Sequence, residues 1–297
     1  MKIFDCTTYH SEDLILDIRL NILNENVSKF IIVESLYSHS GEKKKLNFDI
    51  NNFKKFKDKI TYLVIEKEPD GIEDISEAKN VSSVKRLNSL LRIEQSYDYM
   101  INGLGDANEE DLIVLSDNDE IPNFNSNKFK NSQKDIFIFK QLFFYYKLNL
   151  YYNKLPWFGS KAVKKKKINK FQSMSWIRNL KNKKYPFWRI DTFFSKLKNI
   201  NVEIVNDGGW HFTNLKSPED LYIKFKNFGH HNEFDESGIT IDFIREKIRK
   251  KEVFYDHFVD QSHPNKWNAN FKLEKIDDNY LPYFIKNNLE KFKDWID

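Results

Sequence analysis

The run Leu112-Ile113-Val114-Leu115-Ser116-Asp117-Asn118-Asp119-Glu120-Ile121-Pro122 constrains this chain more than any other. Four consecutive apolar β-formers read as a strand buried on both faces, as in a parallel sheet covered by helices. The strand then delivers two carboxylates two residues apart, and a proline stops it. In open α/β sheets the ligand crevice lies at the carboxyl ends of the strands. As the chain leaves the strand, Asp117 and Asp119 can converge on one ion. Paired hard oxygens suit Mg²⁺ or Mn²⁺, which keep several waters and bind substrate phosphates as well. A metal–diphosphate site is one reading. An acidic turn closing a core strand is the other, and the residues alone leave both open.

The surrounding pattern supports the sheet. Lys2 to Cys6, Phe30 to Val33 and Ile60 to Ile65 read as short strands. Between them, Ser11 is a natural N-cap with Glu12 and Asp13 in the first turn, followed by Leu16, Leu20, Leu23 and Val27 at helical spacing. Leu90, Ile93, Tyr97, Ile101 and Leu104 form a second helical stripe that leads into the Asp117 strand. This alternation predicts a doubly wound α/β layer. The later chain is less regular. Ile136 to Tyr146 supplies one or two aromatic strands, and Lys161 to Lys170 reads as a basic loop. Ser217-Pro218-Glu219-Asp220 is a strong helix start, with Ser as N-cap, Pro at N1 and Asp at N3. Leu221, Phe225 and Phe228 follow as its stripe and Gly229 as its terminator. Ile241, Ile244 and Ile248 mark another helix, and Ile285, Leu289, Phe292 and Ile296 a last one. No repeat or flexible linker interrupts the chain, so 297 residues are read as one domain.

Composition excludes several functions. The net charge of +4 comes from 48 basic and 44 acidic residues that are mixed along the chain, and only seven are arginine. That balance points away from nucleic acid, whose phosphates and base edges favour arginine. Cys6 is the only cysteine, so no internal disulfide or cysteine-rich zinc site can form, and a reducing compartment is expected. No apolar run approaches the roughly 18 residues of a membrane span, and no signal peptide is visible at the N-terminus. A cytoplasmic location is expected, with peripheral membrane association at most.

Several segments together resemble glycosyltransferase family 17, which includes the β-1,4-mannosyl-glycoprotein β-1,4-N-acetylglucosaminyltransferases. They are Asp5-Cys6-Thr7 with Glu12 and Arg19, Phe30 to Ser35 with Glu34, and His39-Ser40-Gly41. Asp117 to Pro122 is similar to that family's DxDEIP segment, and Gly209-Trp210-His211-Phe212 to its GWH motif. Ser217 to Lys224 and Tyr283 to Phe292 resemble the helices that follow. The segments fall in order over nearly the whole chain, with Lys161 to Val205 the least familiar part. This chain lacks the N-terminal anchor and stem of Golgi members. The resemblance implies a GT-A-type glycosyltransferase fold, a Rossmann-like, mostly parallel sheet flanked by helices. Residues 1–125 would form the donor- and metal-binding half, and residues 126–297 the acceptor-side half with C-terminal helices. It also implies a nucleotide-sugar donor, with UDP-GlcNAc expected, a glycan acceptor and a divalent metal, Mn²⁺ or Mg²⁺. The reaction would be an inverting transfer that forms a β linkage.

Under that resemblance Asp117, Asp119 and His211 are the metal candidates. Glu34, Arg86, Arg92, Asp117 and Trp210 are the donor-binding candidates, the arginines because guanidinium suits phosphate. An inverting displacement needs a carboxylate within hydrogen-bond reach of the attacking hydroxyl, and Glu120, Asp191 and Asp207 stand as unranked candidates. Each has a plainer reading: a core tryptophan, a structural histidine, a capping carboxylate, a surface ion pair. Lys164 to Lys167 reads as a solvated loop or as a contact for an anionic membrane. Two rival functions remain. One is an HAD-like phosphatase, which expects Thr or Val where this chain has Ile121. The other is a catalytically silent glycan-binding protein of the same fold.

Overall fold

A computed structural model describes residues 1–227, 231–258, 266–267 and 269–297. Four strands form the parallel layer expected from the apolar runs: β1 (Ile3–Thr8), β2 (Lys29–Ser35), β3 (Ile60–Ile65) and β4 (Leu112–Ser116). Their order across the sheet is β3-β2-β1-β4, and every neighbouring pair is parallel. Helix α1 (Asp13–Leu23) covers one face, and helix α2 (Val81–Asp98), continued by a 3-10 turn over Tyr99–Gly103, covers the other. β1 and β4 are therefore sandwiched, which is why Ile3 and Phe4, and likewise Ile113 and Val114, are all buried although each pair points to opposite faces.

Beyond β4 the sheet becomes mixed. β5 (Glu120–Pro122) leaves the acidic turn, and β6 (Ile136–Tyr145) is one long strand. A short β7 (Leu150–Tyr151) follows, and then β8 (Trp157–Lys164), which runs antiparallel between β4 and β6. β9 (Val202–Val205) and β10 (Gly209–Thr213) lie parallel to β6, and β10 also pairs antiparallel with β5. The result is a mixed α/β structure whose large central sheet runs through both halves of the chain, flanked by helices.

The structure departs from the sequence reading in four places. Ser11 does not cap α1. Glu12 occupies that boundary, and its carboxylate accepts the backbone N–H groups of His10 and Ser11. Of the stripe expected on α2 and its 3-10 continuation, only Leu90 is exposed; Ile93, Tyr97, Ile101 and Leu104 pack in the core, and the polar Asn88, Ser89, Arg92 and Ser96 are buried as well. Part of that helix faces polar loop backbone rather than core, and side-chain hydrogen bonds replace apolar burial there. Lys161 to Lys170 is not a loop: it completes β8 and forms a helix over Lys165–Phe171. Lys164 and Lys166 pair with Glu110 and Asp135, and Lys167 with Asp135. The last helix is broken into Tyr283–Lys286 and a 3-10 turn over Leu289–Trp295. By contrast, Ser217 caps Pro218–Asn227 as expected: its hydroxyl accepts the Asp220 N–H at 3.0 Å and donates to the Asp220 carboxylate at 2.8 Å. Phe228 and Gly229 lie outside the described residues.

Candidate active site

The site starts from a buried charge. Asp5 on β1 and Arg19 on α1 are both fully buried and paired in a two-point contact, Nε to Oδ2 at 2.7 Å and a terminal nitrogen to Oδ1 at 2.6 Å. The other terminal nitrogen of Arg19 reaches the acidic turn. It donates to the Glu120 carbonyl at 2.6 Å and, at longer range, to the carbonyls of Asp117 and Asn118 at 3.3 and 3.5 Å. A buried guanidinium needs several acceptors to offset its desolvation. Here the backbone of the Asp117–Glu120 turn supplies them, so the core ion pair fixes the path of the turn.

A second clamp comes from the two motifs that looked separate in sequence. β5 and β10 pair so that Glu120 lies opposite His211 and Ile121 opposite Trp210. The Phe212 N–H donates to the Asp119 carbonyl at 2.9 Å. Gly209 makes the approach possible. Its φ is +113°, and a Cβ there would meet the Ile121 carbonyl oxygen at 2.1 Å. Alternation along β10 then separates its side chains. Trp210 faces the core, with its indole N–H on the Tyr280 carbonyl at 2.7 Å. His211 faces the acidic turn and packs against both Phe143 and Trp157, with centroids 4.5 and 4.4 Å away. Its Nε2 is 3.4 Å from Asp119 Oδ1, and its Nδ1 is buried with no partner among the described residues.

The turn opens onto a cleft of about 570 Å³ at the carboxyl ends of β1, β2 and β4. That volume lies within the range of small-molecule sites. Asp117, Asn118 and Asp119 line it, together with Glu12, His39, Arg178, Lys216 and Lys224. Asp117 accepts the Tyr97 hydroxyl at 2.6 Å and faces Arg178 at 3.3 Å, while the Arg178 guanidinium lies over the Tyr97 ring at 4.9 Å. Burial, and then the neighbouring Asp119 charge, push the Asp117 carboxyl up to about 6. For Asp119, burial works in the same direction, but His211, with help from Lys224 and Thr213, outweighs it and holds the carboxyl at about 2. The two carboxylates therefore have different protonation behaviour on one turn. Asn118 is buried to 7 % exposure, and among the described residues neither its amide nitrogen nor its amide oxygen has a partner. Buried amides are ordinarily hydrogen-bonded, so this one is an exception.

The other sequence candidates separate. Glu120 is buried beneath the turn. It accepts the Trp157 indole N–H at 2.8 Å and the Asp117 N–H at 3.2 Å. Burial and the two aspartates raise its carboxyl well above the usual range, and it does not line the cleft. Glu34 points to the opposite face from Val33 and Ser35, which line the cleft. It is occupied by Lys44, the Tyr62 hydroxyl, and the backbone N–H groups of Asn47 and Phe48. Arg92 clasps Glu68 at 2.7 and 2.9 Å and donates to the His39 carbonyl at 3.2 Å, so it holds the His39 loop that lines the cleft. Arg86 is exposed and outside the cleft lining. Asp207 is exposed at the start of β10, bonded to the Ser126 hydroxyl at 2.6 Å. Asp191 is paired with Arg189 and Lys198, both at 2.7 Å, which hold its carboxyl far below the usual range. Neither Asp207 nor Asp191 lines the cleft.

Sequence reasoning missed Arg178, Lys216 and Lys224 as site residues. Arg178 falls in the least familiar segment, and the two lysines are lost among many. The signal that existed was positional, since Lys216 and Lys224 flank the Ser217 helix start. Among the described residues no group of three or more His, Cys, Asp or Glu side chains is arranged to hold a metal ion. Any ion here would need ligands from the substrate as well, which is ordinary for Mg²⁺ at a phosphate site.

The protein is thus of the α/β class, with a strand-end crevice that has an acidic turn on its floor and cations on its walls. The model of glycosyltransferase family 17 matches residues 1–293, and the chain belongs to that family. It is a glycosyltransferase, with a nucleotide-sugar donor and a glycan acceptor implied by membership. The family excludes the phosphatase reading. No curated protein matches the sequence. Among solved structures, the chain is similar to the 2-C-methyl-D-erythritol 4-phosphate cytidylyltransferase of Francisella tularensis, at 12% identity and TM-score 0.33, covering 77% of this chain and 100% of that one. It is also similar to an inositol-1-phosphate CTP transferase from T. maritima, at 12% identity and TM-score 0.30, covering 57% of this chain and 73% of that one. No helix among the described residues is long and apolar enough to cross a membrane.

Proposed function

We propose that this chain is a metal-dependent, inverting glycosyltransferase of GT-A type that moves GlcNAc from UDP-GlcNAc to a glycan hydroxyl and forms a β linkage. The observation that carries the reading is the placement of Asp117, Asn118 and Asp119 on the floor of a strand-end cleft whose walls hold Arg178, Lys216 and Lys224. The donor sugar and the inversion rest on family resemblance, since no residue in the cleft is specific to an N-acetyl group.

Asp119 and His211 are the residues that would hold a Mn²⁺ or Mg²⁺ ion; they stand 3.4 Å apart, and the oxygen-rich turn suits a hard cation. When bound, such an ion neutralises charge on the departing nucleotide diphosphate. Arg178 and Lys224 face the same space and would bind the diphosphate oxygens, with Arg178 exchanging Asp117 for phosphate. Asn118, with both amide groups free, would orient donor hydroxyl or phosphate groups. Glu120, buried beneath the turn with its two oxygens taken by the Trp157 indole N–H and the Asp117 N–H, holds the turn rather than taking a proton. The base that accepts the acceptor proton is then one of the carboxylates that line the cleft, Glu12, Asp13 or Asp220. Glu12 is the leading choice. Burial raises its carboxyl, but Lys216, 3.7 Å away, and Lys224 keep it below the usual range, so it is ionised at neutral pH.

The test is a screen of nucleotide sugars for UDP or other nucleotide release with Mn²⁺, Mg²⁺ or chelator, with the product's anomeric coupling read by NMR. UDP-GlcNAc turnover that needs metal and gives a β-linked product supports the reading. An α-linked product removes inversion, a β-linked product from another donor removes only GlcNAc, and binding without turnover of any donor supports a silent glycan-binding protein.

A further inference from the structure

The segment 181–198 stands apart from the rest of the surface. Its base is closed by the Lys181 N–H on the Leu197 carbonyl at 3.0 Å and by the Trp176 indole N–H on the Lys196 carbonyl at 2.7 Å. Compact loops with joined ends ordinarily pack their own side chains. This one anchors itself with Tyr185 and Thr192, which are buried, and turns its large apolar residues outward. Phe187 is 75 % exposed, Trp188 67 %, Ile190 71 %, Phe193 73 % and Phe194 86 %. Single exposed apolar residues are ordinary, but five within eight positions form a contiguous feature that calls for a partner.

The charge around the patch selects that partner. Residues 181–198 contain Lys181, Lys183, Lys184, Arg189, Lys196 and Lys198 against Asp191 alone. Asp191 is committed to Arg189 and Lys198. Among the described residues no ion pair engages Lys181, Lys183, Lys184 or Lys196, and all four are exposed. Aromatic side chains framed by unpaired lysines match the two layers of a bilayer interface. Trp and Phe enter the boundary between headgroups and acyl chains, and lysine heads reach the phosphates. A protein partner would be expected to bring acidic groups to neutralise these lysines; an anionic lipid surface supplies that charge at any orientation. In Lys164 to Lys167, the basic run that sequence singled out, Lys164, Lys166 and Lys167 share Glu110 and Asp135 and the Lys165 ammonium is held by the Leu104 and Ala107 carbonyls, so these heads are already engaged.

We propose that the 181–198 loop is a docking surface for an anionic lipid bilayer, inserting Phe187, Trp188, Phe193 and Phe194 while its lysines bind headgroup phosphates. Each lysine near such a surface contributes roughly 1 kcal/mol, about a fivefold factor in partitioning, so removing two lysines lowers binding by more than about tenfold. The proposal is independent of the donor and metal assignments.

The test is sedimentation of the whole chain with vesicles of phosphatidylcholine alone and of phosphatidylcholine mixed with phosphatidylglycerol, alongside light scattering of the free protein. The expected result is salt-sensitive binding to the anionic vesicles and little to the neutral ones. Phe193→Ser with Phe194→Ser, and separately Lys183→Glu with Lys184→Glu, should each lower partitioning about tenfold or more at an unchanged melting temperature. If the aromatic variant fails to fold, the charge variant, which alters only exposed lysines, decides the matter. Absence of binding to anionic vesicles, or undiminished binding by the folded variants, overturns the proposal. A wild-type dimer that the aromatic variant converts to monomer also overturns it and assigns the patch to a second copy of the chain.

Discussion

Replacing Arg19 by methionine tests how the fold holds its site. The substitution removes the partner of Asp5 in a fully buried pair and the donor to the Glu120 carbonyl. Breaking such a pair on one side costs about 3–5 kcal/mol, because the remaining charge stays buried without compensation. Against a total stability of about 5–15 kcal/mol this is severe, and for a chain of this size it corresponds to a fall in melting temperature of roughly 5–8 °C. The informative comparison is the double variant Asp5→Leu, Arg19→Met. Exchanging both charges for apolar groups is often nearly neutral, so much of the stability should return. Activity should not, because the carbonyls of Asp117, Asn118 and Glu120 still lack their donor and the turn is free to shift. Calorimetric melting and donor turnover measured on the same preparations would check this. A double variant that regains both stability and full activity would refute the role given to Arg19 in positioning the turn.

Gly209→Ala should lose the fold or melt far lower, since the position has positive φ and the new methyl would meet the Ile121 carbonyl oxygen at 2.1 Å; a thermal melt equal to wild type would contradict the packing described. The pH profile of kcat/KM should fall as pH drops below about 6, where Asp117 takes a proton. For this group the ionised form costs stability, fully above about 6, and the cost is relieved as pH falls toward the unfolded value of about 3.9. Protonation of Asp117 therefore does not unfold the protein, and melting curves across the same range should separate loss of activity from loss of fold. Cys6 is fully buried, and burial pushes its thiol up, so it should resist alkylation in the native protein and react only on unfolding; fast native labelling, read by mass spectrometry, would contradict this.

The parallel layer was legible because four-residue apolar runs have few alternatives once helical stripes separate them. Asp117 and Asp119 were legible for the same reason: they sit where such a run ends. The pairing of β5 with β10 was not, since a strand of three residues has no periodicity and its partner lies far along the chain. That pairing decides which of Trp210 and His211 meets the acidic turn, and alternation alone cannot say which face is core. The second half of β8 reads as part of a basic loop because Lys161 looks solvated in sequence. In the fold its ammonium is buried and satisfied by the carbonyls of Arg178 and Leu180 at 2.6 and 2.7 Å. Arg178 belongs to no motif, and only the fold brings it to Asp117. Glu34 shows the opposite failure: a strand-end carboxylate at the right end of the sheet, turned to the wrong face.

The central claim is that the Asp117–Asp119 turn binds a nucleotide diphosphate through a divalent ion. Titration calorimetry of UDP into wild type and Asp119→Asn, each with Mn²⁺ and with chelator, tests it most directly. Wild type should bind UDP with metal and at least about tenfold more weakly without it, a difference of roughly 1.4 kcal/mol or more. Asp119→Asn should lose the metal-dependent part while melting at a similar temperature. Equal UDP affinity with and without metal, or undiminished metal-dependent binding in Asp119→Asn, would contradict the account.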